Sequence, residues 1–388
     1  MRCRELVHFW NYRMLTLASF IVVIAVIILV HEAGHYMAAR MCGIRVDTFS
    51  IGFGPRIRSF HWRGTEFVLA WIPLGGYVKM AGIIDENFDG STSLTGADDE
   101  FMSKSALQKA FVISAGVIMN MVLAVVIYSG IFLFWGNQVP SDDAVMSAVY
   151  QGYPAAQAGL QPGDRVLSID GTVVSSWQEM ERIIRNSAGQ ELQLELERDG
   201  STLSVSLTPL EDFDETLGRV GRVGIQQSMM RESVSLSDAP ALGLRQTGRV
   251  IEMAWSTLRS LISGQASLRE VGGPIFIAQM SGTVVRSGLE AFLSFIAFIS
   301  VHIGFMNILP FPVLDGGHLV YILIESVIGR PLPTRLKLWI NQAGVLLLLL
   351  LMVFIMKNDI QRMLGGGTFG ETPTTEEMAP APGDSSGH

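Results

Sequence analysis

Cysteine, net positive charge and charged residues in general are scarce in this sequence. Its 388 residues include only two cysteines, too few for a disulfide framework or for a zinc site built from thiolates. Lysine and arginine number 28 against 36 aspartate and glutamate, so the formal net charge is -8 and no nucleic-acid-binding face is expected. Charged residues make up 16% and apolar residues 49%, which is typical of a protein integral to the lipid bilayer.

Four apolar runs are long enough to cross a bilayer, which takes about 20 residues of helix. They are predicted at residues 14–41, 111–135, 288–309 and 336–357. Lysine and arginine concentrate between the first and second runs and between the third and fourth, so the positive-inside tendency places both connections in the cytoplasm. The polar segment between the second and third runs is then expected outside, although three arginines before the first run favour the opposite orientation.

The connection at residues 42–110 is predicted to be a β-rich loop at the cytoplasmic face. Its segments VDTFSIGFG and EFVLAWIPLGGYVKM combine β-branched and aromatic residues with glycine punctuation, which is typical of strands. Two interpretations remain open: a hairpin that packs on the helices, or a sheet at the membrane face whose edge pairs with an extended peptide. In the second case Gly75 and Gly76 lie in the substrate-binding strand.

Residues 140–210 predict one compact α+β domain. Alternating leucines on both sides of Asp199 and Gly200 are a strong hairpin signal. The phrase PAAQAGLQPGDRVLSIDG resembles a bacterial PDZ domain. Such domains bind peptide ends or exposed strands, so this one either contacts a substrate or partner peptide or acts only as a steric gate.

Two more segments complete the predicted organisation. Residues 238–264 have helical apolar spacing among charged residues, which indicates either an amphipathic helix at the membrane surface or a plain connecting helix. Residues 364–388 are rich in glycine, proline, threonine and glutamate and are predicted to be a disordered tail. The predicted fold is a polytopic α-helical membrane protein of about four spans, with a membrane-associated β-hairpin and an inserted extracytoplasmic PDZ-like domain.

Three ionisable side chains interrupt the end of the first apolar run, IVVIAVIILVHEAGHYMAAR. His31 and His35 are four residues apart, so on a helix both imidazoles lie on one face and point at a single ion. Glu32 lies beside them, where it acts as general base on a water molecule in zinc peptidases with this H-E-x-x-H pattern. Burying such groups unpaired in lipid costs about 3 kcal/mol each, which favours a functional role over three side chains that merely reach the interface.

Catalytic zinc needs a third protein ligand, and Asp315 in NILPFPVLDGGH is the obvious donor. Residues 310–330 are predicted to hold the end of a broken helix and a following helix, because Pro310 and Pro312 remove backbone donors. The first and third of four spans must run parallel, so HEAGH and LDGGH are expected at the same membrane face. The alternative is that Asp315 only caps the following helix.

The motifs HEAGH, IPLGGYVKM, PAAQAGLQPGDRVLSIDG and NILPFPVLDGGH resemble, in order and spacing, those of bacterial site-2 proteases of the regulator of sigma E protease type. The resemblance covers residues 14–363 and implies that His31, His35 and Asp315 bind one zinc ion, with Glu32 as general base. It also implies a multi-pass protein of the bacterial inner membrane with its active site near the cytoplasmic face. Its substrates would be single-span membrane proteins, such as anti-sigma factors or signal-peptide remnants, in regulated intramembrane proteolysis.

Two departures from the family pattern stand out. Members often carry two tandem PDZ domains, whereas this chain has room for one, and Val117 follows Gly116 where the family usually has proline. Asn120, one turn further on, is predicted to place its amide near the site. Asn307, just before the prolines, is expected either to hold the substrate backbone or oxyanion or to cap the broken helix.

Two rival functions fit part of this pattern. A catalytically silent PDZ-bearing scaffold would keep the fold, but it has no need of a base such as Glu32. A metal transporter would use His31, His35 and Asp315 along an ion path, but further polar residues would then be expected in the other spans, which show few.

Overall fold

The computed structural model describes residues 2–83, 96–214, 218–267 and 272–364. It divides into a helical unit, formed by residues up to Trp135 and from Val234 onward, and a smaller unit from Gly136 to Ser233. Of the predicted tail at 364–388, all but Leu364 lies outside the described residues.

Four helices of the described residues are long and apolar enough to cross a membrane, and each covers one of the predicted runs. We call them spans 1 to 4: Arg13–Met41, Ala106–Trp135, Leu289–Ile308 and Thr334–Leu364. The helix that contains span 1 begins at Arg2, well before the predicted start at residue 14. Span 3 ends at Ile308 because proline follows at positions 310 and 312.

Span 2 lies at the centre of the helical unit, in contact with spans 1 and 3. The approach of spans 1 and 2 is closest at Gly34, where a Cβ atom would stand 2.4 Å from the backbone oxygen of Ala115. Only glycine therefore allows this separation between the two helix backbones. The residues that follow span 3 form a further helix, Asp315–Ile328, which also packs on span 2 and which we call the LDGGH helix.

Two shorter helices connect the spans. Ala239–Ile262 matches the predicted amphipathic segment, and its small face, including Gly243 and Ala254, is buried against spans 2 and 3. Pro274–Arg286 was not predicted and packs on spans 1 and 4. Its first turn is capped by Asp359 of span 4, whose carboxylate accepts hydrogen bonds from the backbone N–H groups of Gly273 and Phe276 at 3.0 and 3.2 Å.

The first connection folds into two long strands, Val46–Trp62 and Thr65–Met80. Both run further than the sequence predicts, and they meet at a tight turn in which Arg63 and Gly64 have positive φ. Register shifts wind the hairpin so that residues 48–51 have partners on both sides; Phe49, for example, pairs with Val78 and with Phe67. Residues 76–80 pair on one side only within the described sheets, so they form an edge of this sheet, which we call the edge strand.

The smaller unit contains a four-stranded antiparallel sheet in the order Thr172–Val173, Arg165–Ile169, Leu192–Arg198, Ser201–Leu207. The predicted hairpin across Asp199 and Gly200 is present, with both residues at positive φ. The predicted boundary at 210 is wrong, because Ile225–Gln227 returns to pair with Met146–Val149 and Met229–Glu232 with Asn137–Pro140. These returning strands are too short and too polar to be recognised by periodicity.

One buried ion pair ties the sheet of the smaller unit to its preceding turn. Asp164 is 1% exposed, and both of its carboxylate oxygens accept hydrogen bonds from the Arg198 guanidinium at 2.7 Å. Burial disfavours the charged carboxylate, but the hydrogen bonds and charge of Arg198 outweigh this cost and hold the pKa of Asp164 below its usual value.

Candidate active site

The last turns of span 1 place two imidazoles on one helix face. His31 and His35 are both buried, and their Nε2 atoms lie 3.2 Å apart. This is the geometry that helical i, i+4 spacing predicts.

Asp315 completes the group from the start of the LDGGH helix. Its Oδ2 lies 3.3 Å from Nε2 of His31 and 3.5 Å from Nε2 of His35. The backbone reaches this point through a bend in which Val313 has a φ of 79°, a conformation that costs energy for a β-branched residue. The predicted meeting of HEAGH and LDGGH is therefore observed, and Asp315 occupies the first turn of a helix at the same time.

The three converging atoms fit a zinc ion. Ligand atoms bound tetrahedrally to zinc at about 2.0–2.1 Å stand roughly 3.3–3.4 Å from one another, and the three separations here are 3.2, 3.3 and 3.5 Å. Oδ2 of Asp315 is buried and has no hydrogen-bond partner, so its lone pairs point at the centre of the group rather than at a donor. A buried carboxylate oxygen without a donor is accounted for by a cation bound at this point.

Each imidazole is oriented by a second contact on span 2. Nδ1 of His35 lies 2.9 Å from the backbone oxygen of Val112, to which it donates, and this leaves the Nε2 lone pair for a metal. Nδ1 of His31 lies 3.3 Å from the amide of Asn120, whose Oδ1 is buried without a partner. Turning the amide by 180° lets Oδ1 accept from Nδ1–H, which is the arrangement that a metal-binding His31 requires. The backbone oxygen of Asn120 is itself held by the Ser300 hydroxyl at 2.9 Å.

Gly116 forms the wall behind the two imidazoles. A Cβ atom there would stand 2.4 Å from Nε2 of His35 and 2.8 Å from Nε2 of His31. The two imidazoles therefore occupy the space that a side chain at position 116 would need.

Glu32 opens on a cavity of about 80 Å³ that also borders His35 and Asp315. That volume is enough for several water molecules. The edge strand contributes Val78 and Met80 to the wall of the cavity, and a Cβ atom on Gly76 would stand 3.1 Å from Cγ of Glu32. Space for water, the carboxylate of Glu32 and an unpaired strand edge therefore adjoin one another.

The weaker predicted residues have different positions. Gly75 packs under the Phe53 ring, and Gly76 sits between span 1 and the neighbouring strand. Asn307 lies in the last turn of span 3, but it is not part of the cavity wall, and its amide has no hydrogen bond within the described part of the chain. The cavity wall also includes three charged groups that the sequence did not single out: Lys109, Glu325 and Lys337. The sequence signal that could have identified these three groups is that charged residues lie close to the ends of apolar helices.

Comparison with known proteins agrees with this site. The family model described as Peptidase family M50 matches residues 19–351. A Mesorhizobium japonicum protein named "Putative zinc metalloprotease" is 36% identical over 89% of this chain and 98% of its own length. "Protease RseP" of Yersinia pestis is 30% identical over 90% of this chain and 99% of its own, in an alignment of 450 residues that is longer than this chain. That relative therefore carries residues for which this chain has no counterpart.

Several solved structures resemble part of this chain. The PDZ domain of an SdrC-like protein from Listeria monocytogenes is 24% identical over 23% of this chain and 90% of its own, with a TM-score of 0.20. A TM-score of 0.20 does not establish a shared fold, so the PDZ assignment of the smaller unit stays a prediction.

The fold and site define a zinc metalloprotease of the membrane. The chain belongs to peptidase family M50, because the family model covers most of its length and relatives above 30% identity align along nearly all of theirs.

Proposed function

We propose that this enzyme hydrolyses peptide bonds within the transmembrane segments of single-span membrane proteins. The observation that carries the proposal is the convergence of His31, His35 and Asp315 beside Glu32, in a cavity formed where apolar helices end. The resemblance to regulator of sigma E proteases suggests anti-sigma factors or signal-peptide remnants as substrates. It also suggests the bacterial inner membrane, with the site near the cytoplasmic face and the smaller unit outside.

In this proposal His31, His35 and Asp315 hold the zinc ion. When bound, zinc supplies a Lewis acid for the scissile carbonyl and for a water molecule. Glu32 accepts a proton from the attacking water, whose oxygen bonds to the carbonyl carbon. It then passes the proton to the leaving nitrogen as the carbon–nitrogen bond breaks. Val112 and Asn120 keep the two imidazoles turned toward the ion throughout.

A transmembrane helix satisfies all its backbone groups internally, so a substrate must unwind before a peptide bond reaches the site. The edge strand gives the unwound segment a backbone to pair with, next to Glu32. Asn307 is our candidate to contact the substrate backbone or oxyanion, since its amide has no competing hydrogen bond among the described residues. The smaller unit would contact a substrate or partner peptide outside the membrane.

The test uses the full-length protein in liposomes with a single-span reporter. Wild type is expected to cleave the reporter, whereas Glu32→Gln should retain zinc, measured by atomic absorption, and lose cleavage by at least about a hundredfold. Glu252→Gln, an exposed carboxylate on the connecting helix, is the matched control and should cleave normally. Equal cleavage by wild type and Glu32→Gln would contradict the assignment of the base, and a wild type that cleaves no membrane reporter would contradict the function.

The edge strand has its own test. Gly76→Pro removes a backbone donor from the strand, so we expect cleavage of the reporter to be lost while zinc remains bound. Unchanged cleavage would show that the substrate does not pair there.

A further inference from the structure

The cavity that Glu32 lines also has basic side chains in its wall, which we call the basic group. It consists of Lys109 at the start of span 2 and Lys337 at the start of span 4. Glu325 of the LDGGH helix lines the same cavity and is the acidic residue of this part of the wall. A second cavity shares Lys109 and Glu325 and adds Arg330. Three cations and the Glu325 carboxylate thus line these two neighbouring cavities.

The carboxylate of Glu325 already has two partners within the protein. Its Oε1 lies 2.8 Å from Nζ of Lys337, which is 8% exposed, and it accepts a hydrogen bond from the backbone N–H of Leu332 at 2.8 Å. Lys337 therefore has its counter-ion inside the protein.

Among the described residues, Lys109 forms no ion pair of its own, because the nearby Glu325 carboxylate is already bound to Lys337. Its side chain is half-buried and its ammonium makes no hydrogen bond or ion pair within the described ranges; the nearest ring is that of Phe101, 5.9 Å from Nζ to the centroid. A half-buried ammonium without an ion pair of its own is stabilised by an anion that enters the same space. The structure therefore presents an unsatisfied donor on the wall of the reaction cavity.

We infer that Lys109 binds a carboxylate of the substrate, an aspartate or glutamate side chain near the scissile bond, and so selects acidic sequences for cleavage. This inference rests on the proposed function. The substrate is favoured over other anions because Lys109 lines the same cavity as Glu32, His35 and Asp315, so a segment bound for cleavage passes it.

The test is a set of single-span reporters, each with one aspartate or its neutral isostere asparagine at successive positions on both sides of the cut. The reporters are assayed in liposomes of neutral lipid and, in parallel, in liposomes that contain anionic lipid. At one position, wild type should cleave the aspartate reporter about tenfold faster, since a hydrogen bond to a charged group contributes on that order. Lys109→Gln should reduce this ratio to about one while it still cleaves the asparagine reporter. Lys104→Gln is the matched control, because Lys104 precedes span 2 but is not part of the cavity wall.

Two further variants are expected to change the ratio of aspartate to asparagine reporter cleavage, one by raising it and one by reversing it. Glu325→Gln leaves Lys337 without its counter-ion and should raise the preference for aspartate. Lys109→Glu should reverse it, so that a lysine reporter is cleaved faster than the aspartate one. A misfolded enzyme cannot gain such a preference.

Three outcomes would overturn the inference. If wild type cleaves aspartate and asparagine reporters equally at every position, no carboxylate site exists although the protease stands. If the preference survives in Lys109→Gln, another group provides it. If Lys109→Gln slows all reporters equally, and only in liposomes with anionic lipid, Lys109 binds a lipid headgroup instead. Failure of wild type to cleave any reporter would remove the proposed function as well.

Discussion

Replacing Gly116 by alanine should destroy the metal site without unfolding the protein. The new Cβ would stand 2.4 Å from Nε2 of His35 and 2.7 Å from Cε1 of His31. Since unbonded heavy atoms prefer about 3.5 Å, one imidazole must move by roughly 1 Å. Zinc sites tolerate changes of about 0.2 Å in ligand distance, so the three donors no longer fit one ion.

The helix backbones have little freedom to absorb this change, because spans 1 and 2 are already in close contact at Gly34 and Ala115. We expect zinc affinity, measured by competition with a chelator, to fall by more than about a hundredfold, and cleavage to fall with it. Gly130→Ala is the matched control, since it lies on the same helix and a Cβ there meets no atom within 4 Å.

Both substitutions raise helix propensity by about 1 kcal/mol, so a difference between them reports on the site alone. The reasoning is refuted if Gly116→Ala binds zinc as tightly as Gly130→Ala. It is also refuted if Gly116→Ala loses zinc only because span 2 has unfolded, which circular dichroism and hydrogen exchange along the helix would reveal.

Three more predictions follow from contacts described above. Asn120→Ala should weaken zinc binding by about tenfold in chelator competition, whereas Asn120→Asp, which keeps an acceptor for Nδ1–H of His31, should bind at least as well as wild type; equal losses in both would argue against the hydrogen bond. Gly76→Ala should leave zinc in place but lower kcat, because its Cβ meets the Ser50 oxygen at 2.8 Å and displaces the edge strand; an unchanged kcat would contradict this. The Asp164–Arg198 pair should stabilise the smaller unit above pH about 4. This contribution should be lost as the pH falls further, because the folded pKa of Asp164 lies below its unfolded value. Hydrogen exchange in Leu192–Arg198 of the intact protein should show this acid sensitivity in wild type and lack it in Arg198→Leu.

Much of the metal site could be predicted from local spacing and from topology. His31 and His35 share a face because of helical periodicity, and Asp315 joins them because parallel spans bring their C-terminal ends to one side. Neither argument depends on side-chain packing. The argument from parallel spans therefore holds across the long stretch of chain between the two motifs.

What the sequence did not reveal depends on contacts between distant segments. Gly116 is one small residue among several in span 2, and only the position of the two imidazoles shows why a methyl group is excluded. The helix Pro274–Arg286 is too short to be told from a loop by apolar content, and its N-terminal cap comes from Asp359, far along the chain. From the sequence, Lys109 is one of several basic residues that flank a span. Only the structure shows that it lines the same cavity as Glu32.

The positions along the chain of the three side chains proposed to bind zinc have a consequence for how the enzyme is made. Two of them are inserted with the first helix, at the start of synthesis, whereas Asp315 follows only after the smaller unit and the third span have been completed. A nascent chain therefore lacks the third ligand while most of its own apolar segments enter the membrane around it. On the proposed ligand assignment, the order of the motifs therefore completes the set of three ligands only after spans 1 to 3 have been synthesised.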